Sequence, residues 1–181
     1  MNQRVEIPSE PPDGASMFER KTIFSADRKY RYTLWRGEEN SMTKFVQFIG
    51  LNPSTADERT DDPTIRRCID FAKRWGYDAL CMTNLFAYRA TLPADMKAFS
   101  SSVGLDNRHY LLQCASHAGL VIAAWGTNGK HQHQDLTVRQ WLDGIGIKLH
   151  HLGLNGDGTP KHPLYLKQTT MPKPWLLDVK E

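Results

Sequence analysis

A chain of 181 residues has the length of one domain and, at that size, buries roughly 70% of the surface its unfolded form exposes, so it folds without needing a metal or a disulfide. A net charge of +3 and a pI near 8.8 permit a nucleic-acid partner but lack the strongly basic balance of a dedicated nucleic-acid binder. Cys68, Cys81 and Cys114 lie far apart with no CxxC pair, which argues against zinc-knuckle or iron–sulfur chemistry, and no apolar run approaches the roughly 18 residues of a membrane span.

The polar start lacks the apolar core of a signal peptide, so the expectation is a soluble, cytoplasmic protein with reduced thiols and no membrane partner. Residues 1–16 hold Pro8, Pro11, Pro12 and Gly14 among charges and predict a loose arm; residues 17–181 then form a single α/β domain. Two strand-like runs, 21–25 and 30–35, flank Ala26-Asp27-Arg28-Lys29 at hairpin spacing and predict a hairpin covering an edge of the main sheet.

The next stretch is the one around which the chain is organised. Residues 45–50 have the Phe, Val and Ile content of a buried strand, which breaks at Gly50 and Pro53 into Asn52-Pro53-Ser54. A strand ending this way offers backbone N–H groups and an amide where open α/β sheets place ligands. The same residues also suit an ordinary turn in which Asn52 and Ser54 satisfy their own backbone. Asp57, Glu58, Asp61 and Asp62 follow, and Asp62-Pro63 predicts the start of a helix over residues 63–75 with Ile65, Ile69 and Ala72 inward.

A strand over 79–86 contains Asn84 and Phe86 and is followed by Tyr88. A helix over 105–117, a strand over 120–126 ending in Trp125-Gly126, a helix over 135–142 and a strand over 147–154 come next. Residues 156–181, rich in Gly and Pro, predict mostly loop. Four strands alternating with three helices predict a three-layer α/β/α sandwich with a four-stranded parallel central sheet plus the hairpin. In that architecture Asn52, Asn84 and Trp125-Gly126 converge on one crevice.

Gly50-Leu51-Asn52-Pro53 resembles the first motif of the uracil-DNA glycosylase superfamily, in its Gly-Ile-Asn-Pro form. Thr83-Asn84 is similar to that superfamily's base-reading Asn, residues 121–126 to its strand ending in Trp-Gly, and Lys161-His162-Pro163 to the start of its His-Pro-Ser loop. Leu-Asn-Pro-Ser and His-Pro-Leu-Tyr more closely resemble a bacterial and phage family, domain of unknown function 1643. The loop departs from the superfamily pattern at Pro160-Lys161-His162-Pro163-Leu164-Tyr165, where the phosphate-pinching serine is missing. With the acids after the first motif, this favours a nucleotide, a modified base or a single strand over a duplex.

The activity the resemblance implies is hydrolysis of an N-glycosidic bond in a nucleobase-containing substrate, with no cofactor. Asn52 would place the water and His162 would stabilise the leaving base or bind a phosphate. The substrate would be bound by Asn84, which presents a donor and an acceptor side by side, and by Gly50, Pro53, Ser54, Phe86, Tyr88, Trp125, Gly126 and Tyr165. Phe86 and Tyr88 are candidates for stacking and, like Trp125, also suit a core. Asn84 equally suits a structural strand end. A non-catalytic nucleotide- or nucleic-acid-binding module is one alternative. A metal-dependent phosphoryl hydrolase is another, with Asp57, Asp61 and Asp62 around Mg²⁺, or His131, His133, Asp135, His150 and His151 as transition-metal ligands.

Overall fold

The computed structural model describes residues 21–37 and 44–176; the predicted arm at residues 1–16 lies outside them. The chain builds a mixed seven-stranded sheet and, among the described residues, four α-helices. The strands are β1 (Thr22–Phe24), β2 (Arg31–Gly37), β3 (Phe45–Gly50), β4 (Ala79–Asn84), β5 (Leu120–Ala123), β6 (Leu149–His151) and β7 (Lys173–Pro174), in the order β1-β2-β4-β3-β5-β6-β7. The contacts of β3 with β4, β3 with β5 and β5 with β6 are parallel.

The sheet is larger than expected because both edges are extended antiparallel. The hairpin does not cover the edge; it lengthens the sheet, pairing Leu34 with Met82 and Trp35 with Cys81. At the far edge the short β7 pairs with His150 and His151. Its proline is tolerated because an edge strand leaves one row of N–H groups unpaired.

β3 is buried along its whole length, so its alternating side chains feed two cores. Val46 and Phe48 pack with Ile65, Cys68, Phe71 and Ala72 of α1 (Pro63–Arg74). Ile49 packs in a second core with Leu111 and Ala115 of α3 (Asn107–His117) and Val138 and Leu142 of α4 (Gln134–Asp143). Helices therefore lie on both faces of the sheet. Ile65 and Phe71 are each 1% exposed, and burial of such side chains contributes about 1.5–3 kcal/mol each.

Local signals set the start of α1. Asp62 Oδ1 accepts from the Ile65 N–H at 2.9 Å, and Pro63 occupies the first turn, where its missing N–H costs nothing. Elsewhere the boundaries move. The strands expected over 79–86, 120–126 and 147–154 end at Asn84, Ala123 and His151, with single backbone bonds to the end of β3 and the loop after it carrying the first two a little further. Leu85 N donates to Gly50 O and Phe86 N to Leu51 O, both at 2.9 Å. The helix expected from residue 105 starts at Asn107 and leaves Leu105 fully exposed, while Pro93 starts a short helix, α2 (Pro93–Ala98), where a loop was expected.

The acidic loop between β3 and α1 is braced from the hairpin. Arg36, 5% exposed, donates from Nε to Asp61 Oδ1 at 2.6 Å and from Nη2 to Asp57 O. Hydrogen bonds to charged groups of this kind contribute about 1.5–3 kcal/mol each. Arg36→Ala should therefore lower unfolding stability by about that amount, seen as a fall in the urea midpoint with little change in slope.

Candidate functional site

At the carboxyl ends of the parallel strands the chain leaves a crevice of about 740 Å³. Its floor is the end of the β3–β4 pair, where Gly50 and Asn84 are register partners. Asn84 is 3% exposed, and no described group donates to its Oδ1, although that oxygen is buried. A Cβ at position 50 would lie 2.8 Å from Asn84 Nδ2, so the amide occupies space that only glycine leaves. A buried amide oxygen without a partner is costly, and a ligand donor in the crevice removes that cost.

Asn52 stands on the loop after β3. Its Nδ2 donates to Ala90 O at 2.8 Å and to Pro53 O at 3.1 Å. Both N–H groups are thus held by loop carbonyls, and the carbonyl oxygen remains as the acceptor. His162 comes from the C-terminal segment. Its Nδ1 accepts from the Leu164 N–H at 3.3 Å, which places the ring proton of the neutral form on Nε2. Burial lowers its pKa below the ordinary 6.5, against a smaller upward pull from Asp62. At neutral pH His162 is therefore an uncharged donor.

Gly50, Asn52, Ser54, Asn84, Trp125, Gly126, His162 and Tyr165 all line this crevice. Gly126 takes φ 70°, a left-handed conformation suited to glycine, and turns the chain away after β5. Trp125 is 2% exposed and belongs to the second core, beside Trp175 at 5.8 Å, so its packing role holds alongside its place in the wall. Tyr165, 84% exposed, stands at the mouth with its ring 5.9 Å from that of His162.

Phe86, Pro53 and Tyr88 are not among the residues that line the crevice. Phe86 is fully buried in the second core, Pro53 is buried outside the crevice lining, and Tyr88 stacks on Phe99 at 4.2 Å. With Asn84 closing the strand, the residues beyond it turn into the core and the loop under α2.

The acids are engaged by neighbouring backbone N–H groups and by arginines of the hairpin. Asp57 Oδ1 accepts from Arg59 N and Thr60 N, Glu58 pairs with Arg28 at 3.0 Å, Asp61 pairs with Arg36, and Asp62 caps α1. His150 Nδ1 bonds Lys148 O and His151 Nδ1 accepts from Gly153 N. Among the described residues no group of three or more His, Cys, Asp or Glu side chains comes together to hold one ion.

Arg31 is a charged crevice residue that the sequence pattern does not single out, as it does not Asn128 and Asn155. β1 and β2 shift register, Thr33 pairing with Ile23 but Arg31 with Phe24, so Tyr32 is an extra residue. This bulge breaks the alternation and re-aims the neighbouring side chains. Tyr32 stacks on Tyr110 of α3 at 5.1 Å, while Arg31 Nη1 reaches Ala56 O at 2.8 Å. The available signal was an arginine at the first position of a strand whose next four residues, Tyr32 to Trp35, carry no charge.

The sequence profile of the family described as protein of unknown function (DUF1643) matches residues 31–164. No curated protein and no solved structure matches the chain.

A histidine with a lowered folded pKa stabilises the fold fully above its unfolded value, and that stability is lost as pH falls from 6.5 through the lower folded value. NMR titration should place the His162 midpoint below 6.5, with the proton on Nε2 at pH 7.5. His162→Gln should flatten the decline of stability in that window. His151, also lowered by burial, should keep the remainder.

Proposed function

We propose that this chain, which belongs to the family of proteins of unknown function DUF1643, binds a nucleobase in the crevice and hydrolyses its N-glycosidic bond. The observation that carries the reading is the Asn84 amide, buried at the floor with an unpartnered oxygen. An amide offers a donor beside an acceptor, which matches the imide or amide edge of a nucleobase. The likeness to the uracil-DNA glycosylase superfamily gains support from the helices on both faces of the parallel strands, the arrangement expected of its three-layer fold.

In the proposed reaction, water held by Asn52 Oδ1 attacks the sugar carbon. The carbon–nitrogen bond breaks with its electron pair leaving on the base, and His162 Nε2–H donates to the charge that develops there. Asn52 has no basic site for the water's proton, so that proton passes to solvent or to the departed base. This lack of a general base forgoes roughly 10²- to 10⁴-fold in rate and makes the enzyme slow. The proposed setting is the cytoplasm, in keeping with the free thiols of Cys68, Cys81 and Cys114.

One observation favours a second reading, a binding module without turnover. The Asn52 amide is tied to Pro53 O and Ala90 O, as a purely structural loop amide would be. The deciding experiment incubates the protein in EDTA with single- and double-stranded oligonucleotides carrying uracil, hypoxanthine or a T·G mismatch, and with the matching nucleotides. It scores abasic sites and released base. Hydrolysis should occur and fall about 10²-fold in Asn52→Ala. Gly50→Ala, which pushes on the Asn84 amide, should weaken substrate binding. Binding that survives Asn52→Ala with no turnover on any substrate would establish the module instead.

A further inference from the structure

Arg31 is 2% exposed and lines the crevice, yet its charge has little local compensation. Of its guanidinium nitrogens, Nη1 donates to Ala56 O, while Nε is buried with no acceptor. No described carboxylate lies within 4.0 Å to form an ion pair with it. A buried cation without a counter-ion is expensive, and structures keep one mainly where an anion completes it. Burial pushes the guanidinium down to about 10, with Asp62 opposing that shift and Arg89 and Arg36 adding to it.

The surroundings select for an anion. Lys161 lines the same crevice, and Asp62, whose Oδ1 is engaged by the Ile65 N–H, is the one carboxylate among the lining residues. The start of α1 also opens onto it through Thr64 and Ile65. A guanidinium presents paired donors that fit a phosphate better than a single carbonyl.

We propose that Arg31 is the centre of a phosphate subsite, and that the crevice takes a nucleoside monophosphate with its terminal phosphate on Arg31 and its base on Asn84. The base half of this inference rests on the reading above; the phosphate half does not. The two residues belong to neighbouring strands, since β2 pairs with β4, so one small molecule spans them. The phosphate is terminal because the loop that accepts from Arg31 at Ala56 also carries Asp57 and Glu58. A diester strand continuing over that loop would meet their negative charge.

The test measures binding of nucleosides, their 5′-monophosphates and 5′-hydroxyl single-stranded oligonucleotides by calorimetry, with wild type, Arg31→Met and Arg31→Lys. Wild type should bind a monophosphate roughly 10- to 100-fold tighter than its nucleoside. The preference should vanish in Arg31→Met and survive in part in Arg31→Lys. Inorganic phosphate, at ionic strength matched with sodium chloride, should compete with the monophosphate and not with the nucleoside. This arm needs wild type alone and stands even if a variant fails to fold.

Equal affinity for nucleoside and monophosphate, an unchanged preference in Arg31→Met, or no competition by phosphate would each overturn the subsite. Oligonucleotide binding as tight as that of the monophosphate would overturn the terminal assignment. If no nucleoside or nucleotide binds but phosphate raises the melting temperature of wild type and not of Arg31→Met, the phosphate subsite stands and the nucleobase reading falls. If phosphate does neither, the subsite falls too.

Discussion

The crevice depends on one register, the parallel pairing that sets Gly50 of β3 beside Asn84 of β4. A slip of β4 by one residue would turn its side chains to the opposite face and carry the Asn84 amide away from Gly50. In the register adopted, the amide lies over a position with no side chain, 2.8 Å from where a Cβ would stand. Pairing continues past the strands through Leu85 N to Gly50 O and Phe86 N to Leu51 O, so the floor is closed before the two loops part.

Two buried arginines then hold the loop that roofs this floor. Arg36 is balanced by Asp61 and the Asp57 carbonyl, and it ties β2 to the start of α1. Arg31 reaches the same loop at Ala56 with one nitrogen and leaves another unpaired. The first arginine is paired with a carboxylate within the fold, whereas the second has no described carboxylate within 4.0 Å. With Asn52 held by Pro53 and Ala90, the loop meets the crevice as a fixed surface, and such fixity removes the ordering cost that binding otherwise carries.

Local chemistry was readable where the causes are local. Asp62-Pro63 marks the start of α1 because a carboxylate can cap an N–H three residues on and a proline lacks the N–H that has no partner there. The strand over residues 45–50 was readable because it is apolar on both faces and stops at glycine. Leu85 and Phe86 misled because a buried apolar run reads the same whether it pairs in a sheet or packs beneath a loop. Asn52, Asn84 and Gly126 were legible as a group because turn and amide signals fall at successive strand ends, which a parallel sheet brings to one side, whereas His162 was singled out by the family resemblance alone.

The sequence by itself determined the α/β alternation and the boundaries of α1, since each follows from spacing along one segment, and the meeting of the strand-end residues follows from that alternation because parallel strands bring their carboxyl ends together. Only the tertiary structure decided the width of the sheet, because antiparallel additions at both edges depend on which neighbours have unpaired backbone groups. It alone placed Arg31 in the crevice, through a bulge that alternation does not record, and withdrew Phe86 and Tyr88 into packing. It also engaged the acids with arginines and backbone N–H groups. A charge pattern shows which groups are available, and the fold decides which of them already have partners.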